Sequence, residues 1–448
     1  MSAVRGWCPS AWRPMAAGDG LLLRVRPPLA RLTRSQALLV AELATAYGNG
    51  AIDLTRRAAL QLRGFDEAGW RAAVDRLVSA GLVDPDPAIE GVALTVAPGW
   101  REGDDTHRVA FEMTARRGEL PALPAKFGIA VDAGERSVLG DTPADLRLER
   151  GDDGGLILRA DGRATGTRLT RGREVEAVVA LAEWFAASGG AAAGRMARHA
   201  AVLPDWASES VAPLVREAAF EQVAPGFGRL TSAELAALAD DAEALRVTPW
   251  RSLLMERGRS VRSLRADLAR GLPLGGHPGA VALARPHLDL PGEDHSPHWH
   301  VKGVAEGSHD RRATLNSPAA SVHKPADDPS DFEEANGDRI DGSTQAFAMY
   351  VQVAAHPRPA IDACVGAPAC SQATTDTRAL AGRLAATSLA GPIHVSGCAK
   401  GCARSAPAAL TIVGRGGRYD LVRDGRADSP PFLCDLTAAA LLAHLGAD

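Results

Sequence analysis

The chain has 448 residues, a formal charge of −4 and a sequence pI near 6.3, which excludes the concentrated basic surplus of a nucleic-acid binder and predicts about three compact units. Hydrophobic residues make up an ordinary 46%, and no apolar run reaches the roughly 18 residues a membrane span needs. The opening MSAVRGWCPSAWRPM has no apolar core of a secretory signal, so a cytoplasmic location is expected.

GDGLLLRVR (18–26) alternates apolar and basic residues and reads as a strand. Thr33, in Arg31-Leu32-Thr33, sits where a helix N-cap belongs, ahead of the periodic Leu38, Leu39, Leu43 and Ala46. After the turn signal Tyr47-Gly48-Asn49-Gly50, AIDLTRRAALQLRGF alternates like a second strand, giving a β-α-β unit. Strand candidates at RVAFEMTA, KFGIAVDA, LRLERGD and GLILRAD, then a helix at EVEAVVALAEWFAA, predict an α+β unit over roughly 107–200.

Arg229-Leu230-Thr231 then repeats the opening grammar. It precedes a helix, SAELAALADDAEAL, and a strand, LRVTPWRSLLM (245–255), and its superposition on Arg31-Leu32-Thr33 places TPWRSLLM over TRRAALQL. This is an internal duplication, whose halves are expected to pack as one pseudo-symmetric domain. From about 257 to 357 the chain turns rich in His, Pro, Asp and Ser without periodicity, and reads as a largely disordered insertion. His295, His298 and His300 there could bind a metal but have no frame to fix them. The last unit, 358–448, carries strands at PIHVSG and ALTIVG and a terminal helix at DLTAAALLAHL.

Four of the six cysteines fall within 39 residues of that last unit, as Cys364-x5-Cys370, 27 intervening residues, and Cys398-x3-Cys402. Four thiolates on two short loops can close around a cubane, each iron taking one protein sulfur. Zinc is the rival, although a five-residue gap is wide for its paired ligands. Gly366, Ala367, Pro368, Ala369, Gly397, Ala399, Gly401 and Ala403 are small, so backbone N–H groups can approach inorganic sulfur. Cys434, in PFLCDL, is expected in the core, and the context of Cys8 leaves its role open.

With SGCAKGCAR around the second pair, this motif resembles that of the nitrite/sulfite reductase superfamily, and the duplication, TRRAALQL and LPAKFGI (123–129) match other recurring elements in order. The resemblance implies duplicated ferredoxin-like half-domains at 14–85 and 205–256, a first reductase-type domain at 105–200, and a cluster domain at 358–448 holding a [4Fe-4S] cluster on Cys364, Cys370, Cys398 and Cys402. GWCPS, GDGLLLRVRPP, YGNGAIDLTRRAALQLRG, LRVTPWRSLL and CVGAPACSQA are most similar to the precorrin-3B synthases within it. Reductases of the superfamily carry two lysines in a K-x-K arrangement to bind a small anion; here Lys126 is present but Gly128 takes the second place, and an Arg-Asn-Val element has no counterpart. Losing such cations weakens stabilisation of a small dianion.

A tetrapyrrole with several carboxylates suits Arg forks instead. Arg57, Gln61 and Arg63 are expected to share one strand face, with Arg251 on the equivalent strand and Lys126 nearby, as substrate-binding residues. The activity implied is O2-dependent hydroxylation of precorrin-3A at C20 with lactone formation; a siroheme-dependent nitrite or sulfite reductase is the alternative. O2 chemistry calls for a second iron centre, mononuclear non-haem or siroheme in the alternative, and no spacing of His residues outside the insertion marks its ligands. No G-x-G-x-x-G follows a strand, so electrons are expected from a separate NAD(P)H-using reductase.

Overall fold

A computed structural model describes residues 9–215, 220–258, 350–354, 361–385, 389, 391–404 and 406–446. The chain divides into two units, Met1–Gly276 with Phe347–Asp448, and His277–Ala346; every described residue belongs to the first. Cys8, His295, His298, His300 and most of 257–357 lie outside the described residues.

The fold is α+β, and its described strands form four five-stranded sheets. The first runs in the order Met15–Ala17, Gly20–Val25, Leu60–Phe65, Ala51–Leu54, Arg229–Thr231, and the second Tyr350–Ala354, Phe220–Ala224, Leu253–Gly258, Ala242–Val247, Arg31–Thr33. The duplicated Arg-Leu-Thr strands are thus exchanged, each half lending its copy to the other's sheet edge: Leu230 pairs with Ile52, and Leu32 with Leu245. Both threonines then cap their helices, Arg34–Ala46 and Ser232–Asp240, in reciprocal capping boxes with Gln36 and Glu234. Leu32, Leu43, Ile52, Leu62, Leu230 and Leu245 share one core, which is why neither half closes alone.

The two copies agree in local strain. Leu29 and Phe227, two residues ahead of each Arg-Leu-Thr, both adopt φ near +54°. Thr55 donates its N–H to the Ala59 carbonyl at 2.9 Å, and Thr248 to that of Ser252 at 3.0 Å. These five-residue turns split each segment read as one strand into a hairpin, because Ala58 and Arg251 take φ of +47° and +61°, which no strand accommodates. Arg57 therefore lies in a turn rather than on a strand face with Gln61 and Arg63.

The third sheet, Ala93–Val96, Gly128–Asp132, Leu146–Arg150, Leu156–Ala160 and Thr167–Arg168, is parallel across its first three strands and antiparallel beyond. The fourth repeats that plan with Ile361–Ala363, Ile393–Ser396, Ala408–Arg415, Arg418–Gly425 and Leu433–Leu436. Three sequence expectations are corrected. RVAFEMTA is helical within Asp105–Ala115: Asp104 caps the His107 N–H, and Val109, Ala110 and Met113 fall on one helical face. Tyr350–Ala354, placed in the insertion, is the edge strand of the second sheet, paired with Phe220–Ala224. Cys434 is exposed, because Leu433 and Leu436 take the inward positions on either side of a register shift.

Candidate metal centre and adjoining cationic interface

Cys364 follows strand Ile361–Ala363 and Cys398 follows Ile393–Ser396, and since these strands are parallel neighbours both cysteines leave the same edge of the sheet. The Cys364 N–H donates to the Val395 carbonyl at 3.1 Å, and Gly397 N–H donates to Cys364 Sγ at 3.2 Å. Thr377, first residue of helix Thr377–Ala385, donates its hydroxyl to the Cys364 carbonyl at 2.8 Å. Cys370 is fixed by its N–H to the Gly366 carbonyl at 2.8 Å.

Packing dictates the glycines in these loops. A Cβ on Gly366, which has φ of +71°, would lie 2.5 Å from Thr377 Oγ1, and one on Gly397 would lie 2.5 Å from Ala373 Cβ. Partial burial pushes the Cys402 thiol up, and Cys398, Cys364 and Cys370 add to the rise, so the four sulfurs lie within electrostatic reach of one another. As thiolates these sulfurs would repel one another, and a bound cationic centre would relieve that repulsion. No three His, Cys, Asp or Glu side chains among the described residues converge tightly enough to share one ion. A cubane asks for the wider arrangement, since each of its irons takes a different sulfur. The donor set, the small cradle and the N–H aimed at sulfur therefore fit a [4Fe-4S] cluster.

Beside these loops the half-domain sheet meets the C-terminal sheet through ion pairs, most of them buried. Asp53, 3% exposed on strand Ala51–Leu54, accepts from Arg378 Nη2 at 2.7 Å and from Arg229 Nε and Nη2 at 2.9 Å each, with Arg63 Nη1 at 3.6 Å. Burial opposes its charge, yet Arg378, Arg229 and Arg63 hold its carboxyl well below the usual carboxylate range. Arg63, itself 2% exposed, forks onto Asp19 at 2.8 Å and donates to the Ala369 carbonyl, beside Cys370, at 2.8 Å. A second centre forms on Asp362, which accepts from Arg404 Nη1 at 3.0 Å and from Arg56 Nη2 at 3.3 Å.

Arg251 reaches the Ala403 carbonyl, next to Cys402, at 3.2 Å. Burial, then the charge of Arg56, pulls it down to about 10, still protonated at neutral pH. Its φ of +61° costs an L residue on the order of 1 kcal/mol or more. Across the interface six guanidiniums (Arg56, Arg63, Arg229, Arg251, Arg378, Arg404) meet three carboxylates (Asp19, Asp53, Asp362), a surplus of three positive charges. Arg63, Arg378 and Arg404 are buried while Arg56 is 37% exposed, so the surplus lies at an interface open to solvent on one side, an environment that favours anionic groups, the cysteine sulfurs among them.

The residues singled out in the sequence do not act as one set. Arg57 and Lys126 meet, Arg57 Nη2 donating to the Lys126 carbonyl at 3.1 Å, at an exposed edge. Gln61 accepts from Arg24 Nη2 at 2.5 Å. Arg63 is withdrawn into the interface, where its fork positions the Cys370 loop. Gly128 opens a buried strand, its N–H donating to Asp145 Oδ2 at 2.9 Å, so the second lysine of the reductase pattern has no equivalent side chain here. Asp53, Arg56, Arg229, Asp362, Arg378, His394 and Arg404 escaped sequence reasoning. The available signal was a lone Asp inside each of two apolar strands, AIDL and AIDAC, since an acid there needs a buried cation.

A family model, the nitrite/sulfite reductase ferredoxin-like half domain, matches residues 13–80. A curated precorrin-3B synthase from Sinorhizobium sp. is 30% identical over 473 residues, covering 99% of this chain and 89% of the relative. The structure of the Mycobacterium tuberculosis NirA protein superposes with a TM-score of 0.52 at 15% identity, covering 95% of this chain and 79% of that one, which is a likeness of fold.

Proposed function

The chain belongs to the precorrin-3B synthase family, within the nitrite/sulfite reductase superfamily, and from that membership we propose that it is an oxidoreductase that hydroxylates precorrin-3A at C20, with lactone formation from a ring A acetate, in aerobic cobalamin biosynthesis. O2 supplies the hydroxyl oxygen, its second atom leaves as water, and two electrons come from a separate NAD(P)H-using reductase. The observation that carries this reading is the surplus of three positive charges at the interface beside the four cysteines, which suits a polycarboxylate tetrapyrrole, while family membership and Gly128 select precorrin-3A over siroheme as that tetrapyrrole. Gly128 supports it by leaving Lys126 without the second lysine an anion reductase uses.

Cys364, Cys370, Cys398 and Cys402 would hold a [4Fe-4S] cluster, whose chemistry when bound is one-electron transfer; a second iron centre, mononuclear non-haem or tetrapyrrole-borne, would supply the O2 chemistry. The chain's own residues bind and orient. Arg251 and Arg57 offer guanidinium forks to substrate carboxylates, with Lys126 and Gln61 at the rim. Arg63 and Asp53 fix the loop of Cys370 against the half-domain sheet. No described helix is long and apolar enough to cross a membrane, and we place the enzyme in the cytoplasm, with neither nucleic acid nor lipid as partner.

The test is to incubate anaerobically reconstituted protein with precorrin-3A, a reductant and isotopically labelled O2. A tetrapyrrole product carrying one labelled oxygen is expected. Reduction of sulfite or nitrite, with precorrin-3A left unchanged, would replace this reading with that of a siroheme-dependent reductase.

A further inference from the structure

His394, within strand Ile393–Ser396, is completely buried, and neither of its ring nitrogens has a hydrogen-bond partner among the described residues. Each such nitrogen left unpaired carries a desolvation cost, so the ring is placed for a partner that the described residues do not provide. The neighbouring strands do not provide one. Asp362, paired with His394 in register, is taken by Arg404 and Arg56, and Thr411, paired on the other side, donates its hydroxyl to the Gly425 carbonyl at 2.8 Å. The ring lies under the Cys398–Cys402 loop, where a Cβ on Gly401 would come within 3.5 Å of its Cε1.

The charges around it select the partner. Arg404, Arg56 and Arg251 bear on the imidazole against the single carboxylate of Asp362, a local surplus of two positive charges. A cation is disfavoured there, and an anion with oxygen acceptors is favoured. Burial, with those guanidiniums opposing protonation, pushes the imidazole down to about 4, so at neutral pH it keeps one N–H to donate. Arg56 bridges this centre to solvent, its side chain being 37% exposed while Asp362 is 3% exposed.

We infer that His394 is a substrate-contacting residue, its ring N–H donating to one carboxylate of the bound tetrapyrrole in a subsite that Arg56 and Arg251 complete. This rests on the proposed function, in that the ligand is a tetrapyrrole polycarboxylate. Binding draws Arg56 off Asp362 onto the incoming carboxylate and admits that group to the ring.

The experiment titrates uroporphyrin III, a stable octacarboxylate tetrapyrrole, into the full-length protein and its His394→Ala and His394→Gln variants, with histidine ring nitrogens isotopically labelled for NMR. The unsubstituted protein is expected to bind, with the His394 nitrogen signals shifting on saturation. His394→Ala should bind about tenfold or more weakly, and His394→Gln, which keeps an amide donor, should recover part of the loss. Binding with no shift of the His394 signals and equal affinity in all three proteins would overturn the inference while leaving the proposed function standing. No binding by the unsubstituted protein would overturn the inference, and turnover of precorrin-3A with labelled O2 decides the proposed function separately. If His394→Ala does not fold, the signal shift in the unsubstituted protein decides alone.

Discussion

The carboxylate of Asp53 accepts a 2.7 Å hydrogen bond from Nη2 of Arg378, 325 residues further along the chain. The same carboxylate also holds Arg229, from the strand exchanged out of the other half-domain, and Arg63, whose fork ends on the carbonyl beside Cys370. Arg378 directly follows Thr377, which bonds the Cys364 carbonyl. One buried acid thus ties both half-domains to the segment that carries Cys364 and Cys370.

Asp53→Asn keeps the shape but leaves Arg378 and Arg229 without their counter-charge and Arg63 with Asp19 alone. Loss of one member of a buried ion pair costs about 3–5 kcal/mol, and urea unfolding is expected to show a loss in that range. Because the folded-state pKa of Asp53 is depressed, its stabilisation is present above the ordinary carboxylate pKa and fades as pH falls below it. The variant should accordingly show a flatter acid limb than the unsubstituted protein.

Each of Cys364→Ser, Cys370→Ser, Cys398→Ser and Cys402→Ser should abolish the visible absorbance and the reduced-state EPR signal of a reconstituted [4Fe-4S] cluster. Cys434→Ser, at an exposed strand position, should retain both. Equal cluster content in Cys398→Ser and Cys434→Ser would remove Cys398 from the ligand set.

Arg57 and Arg63 should separate cleanly. Arg57 lies at an exposed edge, so Arg57→Ala should raise KM for the tetrapyrrole roughly tenfold, the cost of one charge-assisted contact, with unchanged thermal stability. Arg63 is buried between Asp19 and Asp53, and Arg63→Ala should destabilise the fold by about 3–5 kcal/mol and lower cluster occupancy.

Arg251 carries a left-handed backbone at φ of +61°, a conformation that glycine adopts without steric cost. Arg251→Gly should therefore weaken tetrapyrrole binding about tenfold, with relief of backbone strain offsetting only part of the lost Ala403 hydrogen bond, so that urea unfolding shows a loss of about 1–2 kcal/mol. A large loss of stability would show that the guanidinium serves the interface rather than the ligand.

The acid side also carries a signature of His394. Its pKa falls from 6.5 to about 4 on folding, so between those values the unfolded chain binds the extra proton and stability drops as pH is lowered. The slope approaches about 1.4 kcal/mol per pH unit at most. Comparing urea midpoints of the unsubstituted protein and His394→Gln from pH 7 to pH 4 should show this segment of slope missing from the variant.

Much of this was legible from local patterns. The threonine caps, the duplicated Arg-Leu-Thr and the helix EVEAVVALAEWFAA follow from spacing and capping chemistry, which act over a few residues, and the helix is Glu174–Ala187 as read. The family resemblance drawn from the cysteine motif and its companion strings agrees with the curated relative. Two misreadings arose where one turn residue decided the outcome: Ala58 and Arg251 break the apparent strands because their φ is positive, and neither residue type announces that.

By itself, then, the sequence determined the elements, the repeat and the clustering of thiols, because those depend on neighbours along the chain. The tertiary structure alone decided which basic residues are spent and which remain to bind. Arg56, Arg57 and Arg63 look alike in TRRAALQLR, but only the folded chain brings Asp53 to Arg63, Asp362 to Arg56 and the Lys126 carbonyl to Arg57. Those partners lie from ten to 306 residues away along the chain, and a guanidinium's role is set by the charge it meets in space.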